Sequence, residues 1–178
     1  MHFLNYFYNK NLKLDLINKF YYIELKKLPK LKKIVLSFNC KTTEMKTLAT
    51  HLLALELITN QKGILTTSKQ QNILLKIRKG NPTGCKITLK KTFMLYFLSK
   101  NSTEIFPKIK NFTGILINQK IEKTAVSYVV KETLNFSELT DQYYLFNNLY
   151  NLNISFILDV KTKNEIFFVL RSLQFPVK

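Results

Sequence analysis

Apolar and polar residues alternate over several stretches of the chain, and each alternation predicts a strand with one buried face. From Lys33 to Asn39, Ile34, Leu36 and Phe38 share one side, with Val35, Ser37 and Asn39 on the other. From Gly84 to Lys90, Cys85, Ile87 and Leu89 point one way, and Lys86, Thr88 and Lys90 the other. From Leu152 to Val160 the apolar side is Leu152, Ile154, Phe156, Leu158 and Val160, with Ile157 an exception on the polar side. Gly63 to Thr67 and Ala125 to Lys131 read as further strands.

Helical spacing predicts the remaining elements. Leu12 to Phe20 reads as a short first helix. Thr43 can cap a helix to about Ile58, with Glu44 near its positive end. The apolar stripe of that helix is expected to be Met45, Leu48, Ala49, Leu52 and Leu55, with His51 on its flank as a surface or boundary residue. Thr92 to Lys100 is expected to bury Phe93, Met94, Phe97 and Leu98. Thr162 and Glu165 make a capping box for a last helix that buries Ile166, Val169, Leu170 and Leu173 and stops before Pro176. Lys69 to Thr83 is basic and lacks a period, and Gly80 to Gly84 reads as a turn into the next strand. The sum is an α+β fold, a mainly antiparallel sheet with helices packed on one face and the other face open and polar. With no repeat and no low-complexity linker, residues 1–178 are expected to form one domain with a mobile loop at about 69–83.

Charge changes the picture most. Among 178 residues, 28 Lys and Arg face 11 Asp and Glu, a net charge of +17. A compact body with that excess repels itself unless a polyanion neutralises it. The basic residues run from Lys10 to Lys178, so the globular surface itself is the expected anion-binding face. The only arginines are Arg78 and Arg171, Trp is absent, and Gly and Pro number four each. Such composition fits an AT-rich genome, an organellar one being the first reading and an AT-rich nuclear or bacterial one the alternative. The segment from Met1 to Lys10 is aromatic and lacks the arginines of a transit peptide, which fits synthesis inside an organelle. A cleaved or internal signal is the alternative. The longest uncharged run, Gln142 to Leu158, is broken by Asn147, Asn148, Asn151 and Asn153, so no membrane span is expected. Nor is a membrane surface expected as partner, because the helices spend their apolar faces on the core.

No catalytic constellation emerges. The phosphate-cradling, metalloprotease and nucleophile-elbow patterns are missing. Asp159, Glu132 and Glu138 have no acid or base placed beside them. Cys40 and Cys85 do not form a close pair, and with only His2 and His51 a four-ligand metal site is not expected. No cofactor follows, and the chain is not expected to be an enzyme. Lys86, Thr88 and Lys90, about 7 Å apart along one strand face, instead suit phosphates and 2′-hydroxyls, with a solvated strand face as the alternative.

Several motifs in order carry a resemblance. Leu28-Pro29-Lys30-Leu31-Lys32-Lys33-Ile34-Val35 resembles the "V-P-K-I-x-K-I-V" opening of the large-subunit ribosomal protein five family, which binds 5S rRNA. Leu57 to Lys62 is similar to its "L-I-x-G-Q-K", and Lys76 to Leu89 to its "K-L-R-x-G-x-P-I-G-C-K-V-T-L". Phe106 to Gly114 resembles "L-P-R-V-R-D-F-R-G", Val130-Lys131-Glu132 resembles "V-K-E", and Phe175-Pro176 lies near the final "M-P-F". There are departures. The family's "N-M-G-x-G" aligns with Ser37 to Lys41, the glycine of "G-Q-K-P" is Asn60 and its proline is Gly63, and a shorter basic connection, Asn118 to Lys123, replaces a Gly-rich hairpin.

The resemblance implies a structural role in the central protuberance of the large subunit. It implies rRNA contacts at Gln61, Lys62, Lys86 and Thr88, with Lys90, Ser37 and Asn39 as further members. It implies that Lys69, Lys76, Arg78 and Lys79 supply charge to a loop that reaches peptidyl-site tRNA. It also implies a bridge to protein thirteen of the small subunit, contacts with neighbouring ribosomal proteins and, with the composition, residence in a mitochondrial ribosome. A non-ribosomal RNA-binding module of the same fold is the alternative.

Overall fold

The computed structural model describes residues 3–40, 43–109, 114, 125–160 and 162–177. The fold is α+β, built on one open antiparallel sheet. Its strands are β1 Lys30–Asn39, β2 Ile64–Thr67, β3 Pro82–Leu89, β4 Ala125–Val130 and β5 Leu152–Asp159, in the order β2-β3-β1-β5-β4. By contacts the chain groups into two compact units. The first draws on 1–34, 90–128 and 155–178, and the second on 35–89 and 129–154. The expected strand faces are as the alternation predicts: Ile34, Leu36, Phe38, Cys85, Ile87, Leu89, Leu152, Ile154, Phe156 and Leu158 are all buried. Each such aliphatic or aromatic side chain contributes ~1.5–3 kcal/mol by leaving water, before entropy is subtracted.

In the first unit the chain is already helical at Phe3–Phe7, passes through a π-helical turn at Tyr8–Leu12 and continues as the helix Lys13–Lys19. The expected start at Leu12 is therefore too late. Leu12 and Leu16 carry the periodic burial, whereas the preceding turns hold mostly exposed or half-buried aromatics that give no stripe. The Tyr8 hydroxyl donates to the Pro29 carbonyl at 2.6 Å, tying this helix to the start of β1, and burial pushes the phenol up to about 12. The helix Lys91–Lys100 buries Met94, Phe97 and Leu98 as expected, but Phe93 is half-exposed. Beyond it lie a π-helical turn, Asn101–Ile105, and a last turn, Phe106–Lys108. Phe106, Tyr128, Phe156 and Phe175 form an aromatic cluster with centroids 4.9–6.2 Å apart, mostly tilted or edge-on.

The last helix, Lys163–Ser172, carries the expected capping box, with the Glu165 N–H donating to the Thr162 hydroxyl and the Thr162 N–H to the Glu165 carboxylate. The basic connection Asn118 to Lys123 lies outside the described residues, as do Lys110 to Thr113 of the Phe106 to Gly114 motif.

The second unit corrects the reading of its main helix, Met45–Thr59. Glu44, not Thr43, holds the capping position, without a side-chain cap. The buried positions are Leu48, His51, Ala54, Leu55, Ile58 and Thr59, while Met45 and Ala49 face outward. The stripe is thus rotated, and His51, expected at the surface, is 1% exposed. It is accepted there because both ring nitrogens are paired: Nε2 accepts from the Tyr150 N–H at 2.9 Å, which leaves Nδ1–H to donate to the Thr47 carbonyl. Phe38 meets the ring edge-on and Tyr150 stacks on it, both at 5.1 Å.

Candidate nucleic-acid interface

β3 positions the strongest candidates. Its antiparallel register with β2 pairs Ile64 with Lys86, Leu65 with Cys85 and Thr66 with Gly84. Directly opposed residues share a face, so Ile64, Thr66, Lys86 and Thr88 lie on the side away from Cys85, Ile87 and Leu89. Lys86 and Thr88 are exposed, while Cys85, Ile87 and Leu89 are at most 2% exposed. On the other flank, the Cys40 N–H donates to the Thr83 carbonyl at 2.9 Å. Continued without a bulge, that register sets Ser37 beside Lys86. Ser37 is half-buried and Asn39 exposed, both on the side opposite Leu36 and Phe38.

Close strand approach makes this face possible. A Cβ at Gly84 would stand 2.5 Å from the Phe38 carbonyl oxygen and 3.0 Å from Thr66 Oγ1, so only glycine lets β3 pass there unshifted. The thiols beneath are inert. Both are free, and burial pushes Cys85 up to about 12, with Cys40 also raised. The thiolates needed for exchange or metal binding are therefore disfavoured.

Gln61 and Lys62 follow the helix Met45–Thr59. The chain turns at Asn60 with φ 53, a left-handed residue at the helix end where Gly or Asn is favoured. An Asn in place of the family glycine therefore keeps the geometry. At Gly63, where the family has proline, the N–H donates to Glu56 Oε1 at 2.8 Å, a bond that proline lacks. Lys62 is exposed and Gln61 half-buried. Lys90 is exposed too, but it caps the helix Lys91–Lys100 and belongs to the first unit, so it is not grouped with the others.

The segment after β2 is closed at two levels. At its base the Ser68 N–H donates to Asn81 O at 2.8 Å and the Gly80 N–H to Ser68 O at 2.9 Å. Further out, Asn72 and Ile77 exchange N–H···O bonds of 2.9 Å around a turn in which Lys76 takes φ 52. Ile77 is buried, whereas Lys69, Lys76, Arg78 and Lys79 are exposed. At the turn, Ile73 is 80% and Leu74 94% exposed, so the apolar run does not pin the loop to its own body. Among the described residues none of Lys62, Lys69, Lys76, Arg78, Lys79 and Lys86 has a carboxylate partner. Their charges are open to an external anion. The periodicity missed Ile64, which is 63% exposed, because both Ile64 and Leu65 are apolar and only the β2–β3 register tells which points outward.

The relatives agree with this geometry. The sequence pattern of the ribosomal uL5 family C-terminus matches residues 82–177. The chain is 36% identical over 172 residues to the large ribosomal subunit protein uL5m of Reclinomonas americana, covering 96% of this chain and 94% of that one. It is 32% identical over 174 residues to uL5 of Wigglesworthia glossinidia brevipalpis, with 97% of each chain covered. It is 30% identical over 171 residues to uL5 of Clostridium acetobutylicum, covering 95% and 94%. The chain belongs to the uL5 family of large ribosomal subunit proteins, a structural and non-enzymatic family.

Proposed function

We propose that the chain binds 5S rRNA, or the rRNA that replaces it, in the central protuberance. The observation that carries this reading is the exposed pair Lys86 and Thr88, set over a fully buried Cys85–Ile87–Leu89 side. An ammonium and a hydroxyl on one rigid strand reach phosphates and 2′-hydroxyls without reorganising. Ser37, Asn39, Gln61 and Lys62 extend the contact, and Lys90 adds charge from the first unit. Lys69, Lys76, Arg78 and Lys79, carried on the doubly closed loop, meet the backbone of peptidyl-site tRNA, and its exposed Ile73 and Leu74 rest on a ribose or base. Protein thirteen of the small subunit is the bridging partner, and other ribosomal proteins complete the setting.

The lysine-rich, arginine-poor composition and the uL5m relative support residence in the mitochondrial matrix, with the chain encoded by the organellar genome. Crosslinking in purified mitochondrial ribosomes tests the reading. Crosslinks from Lys86 and Lys62 should map to one rRNA of the large subunit and those from Lys76 and Lys79 to tRNA. Crosslinks from all four to protein alone would overturn it.

A further inference from the structure

The first unit carries a groove of about 490 Å³ that the ribosomal reading does not use. It is lined by Lys19, Phe20, Asn164, Phe167, Phe168 and Arg171, with no carboxylate in its wall. The three phenylalanines are half-buried, whereas Lys19, Asn164 and Arg171 are exposed. Phe20 packs edge-on against Phe168 at 5.8 Å and an interplanar angle of 77°, which fixes the plane of the Phe168 ring. The Lys19 ammonium stands 4.5 Å from the centroid of that ring. A flexible, solvent-borne cation thus rests where a flat ligand could lie, so the ring is reachable from outside.

We propose that this groove holds one unpaired RNA nucleotide, its base against Phe168 and its phosphate between Lys19, Asn164 and Arg171. The volume falls in the range of small-ligand clefts. Stacked aromatics beside cations are the chemistry by which proteins hold splayed-out bases. An acidic peptide would satisfy the cations and leave the rings without a flat partner; a nucleotide satisfies both. An exposed cation–π contact is the weaker of the two interactions, so a base can displace Lys19, whose long stem lets the ammonium swing to the incoming phosphate. The proposal rests on the reading that the chain binds RNA, but on side chains other than Lys86 and Thr88, so the two fail separately.

The test titrates the full-length chain with a short oligoadenylate, an abasic strand of equal length and charge, and a polyglutamate peptide. The wild-type protein should prefer oligoadenylate over the abasic strand by about tenfold. Phe168→Leu should abolish that preference and Phe168→Tyr restore it, which separates ring loss from misfolding. Arg171→Gln should weaken both strands alike. The Lys86→Glu, Thr88→Ala double variant should keep the preference while losing rRNA. Equal binding of the abasic strand, or an unchanged preference in Phe168→Leu, overturns the groove and leaves the strand-face reading standing. Displacement of oligoadenylate by polyglutamate of matched charge identifies a protein site and also overturns it.

Discussion

Lys86 and Thr88 differ from Ile87 by one step along β3, and that step separates binding from folding. Replacing Lys86 with Glu and Thr88 with Ala changes only exposed side chains, so the melting temperature should hold while rRNA affinity in a gel-shift assay falls by at least tenfold. Ile87→Asp buries a carboxylate in a site 2% exposed and should unfold the chain. Equal loss of folding in both variants would mean the faces are misassigned. Gly84 sits on the same strand with a different constraint. Its added methyl would meet a backbone carbonyl, which cannot rotate away, so Gly84→Ala should cost ~1–3 kcal/mol in urea denaturation. His51 has a pH signature. Burial lowers its pKa below the ordinary 6.5, against a smaller opposing effect of its bond to Thr47. Below 6.5 the unfolded chain therefore binds the proton and the folded one resists it, so stability is fully present above about 6.5 and declines as pH falls below it. Urea midpoints at neutral and mildly acidic pH should differ more in the wild-type protein than in His51→Gln. Equal pH dependence in the two would show that the imidazole is free to charge in place.

Strands were more legible than helices, for a geometric reason. A period of two leaves no phase to choose once one face is apolar, so the Ile34, Cys85 and Leu152 runs located their strands and their buried sides. A helix offers several stripes, and Met45–Thr59 is apolar enough around its circumference that choosing Met45 and Ala49 over His51 and Ala54 looked equally good. Hydrogen bonds from distant chain decided it: the Tyr150 N–H that holds His51 lies 99 positions away, beyond any local window. Phe93 misled in the same way, an aromatic at apolar spacing that the fold leaves half-exposed. Local chemistry was easier to read, since the Thr162–Glu165 box is complete within four residues of sequence. Thr162→Ala should cost about 1 kcal/mol in chemical denaturation, and no change would show that the helix is held by packing alone. The site was legible where it lay on a strand, at Lys86 and Thr88. In the loop its charges were visible, but the pairing of Asn72 with Ile77 and the exposed apolar tip were not. Replacing Lys76, Arg78 and Lys79 with Ser leaves Ile77 and the hydrogen bonds that close the loop intact. Large subunits carrying this variant should therefore assemble normally and lose peptidyl-site tRNA faster. Failure to assemble would make the loop an rRNA anchor instead.

A net charge of +17 on 178 residues sets the behaviour of the whole chain. Few of these cations are neutralised internally: among the described residues the ion pairs are Lys27 with Glu24 and Lys32 with Asp159, both exposed and each worth ~1 kcal/mol at most. The remaining lysines repel one another, and without rRNA only small ions screen them. Expressed alone, the chain should therefore co-purify with host nucleic acid, and stripping that nucleic acid at high salt should lower its solubility on return to low salt. Binding should also be driven largely by release of counterions from the RNA. If about six to ten phosphates are engaged, affinity for rRNA should fall by roughly 10³–10⁵ between 50 and 200 mM salt, with the trend rather than the slope carried over from duplex DNA. A logarithmic plot of affinity against salt gives the number directly, and removing Lys86 should reduce the slope by about one phosphate's share. Lysine, a hydrated point charge without the fork of arginine, favours this kind of contact over bidentate base reading, so the salt dependence should be nearly the same for rRNA fragments of different sequence. A complex insensitive to salt would mean that the cations are not at the interface, and the anion-binding reading of the surface would fall with it.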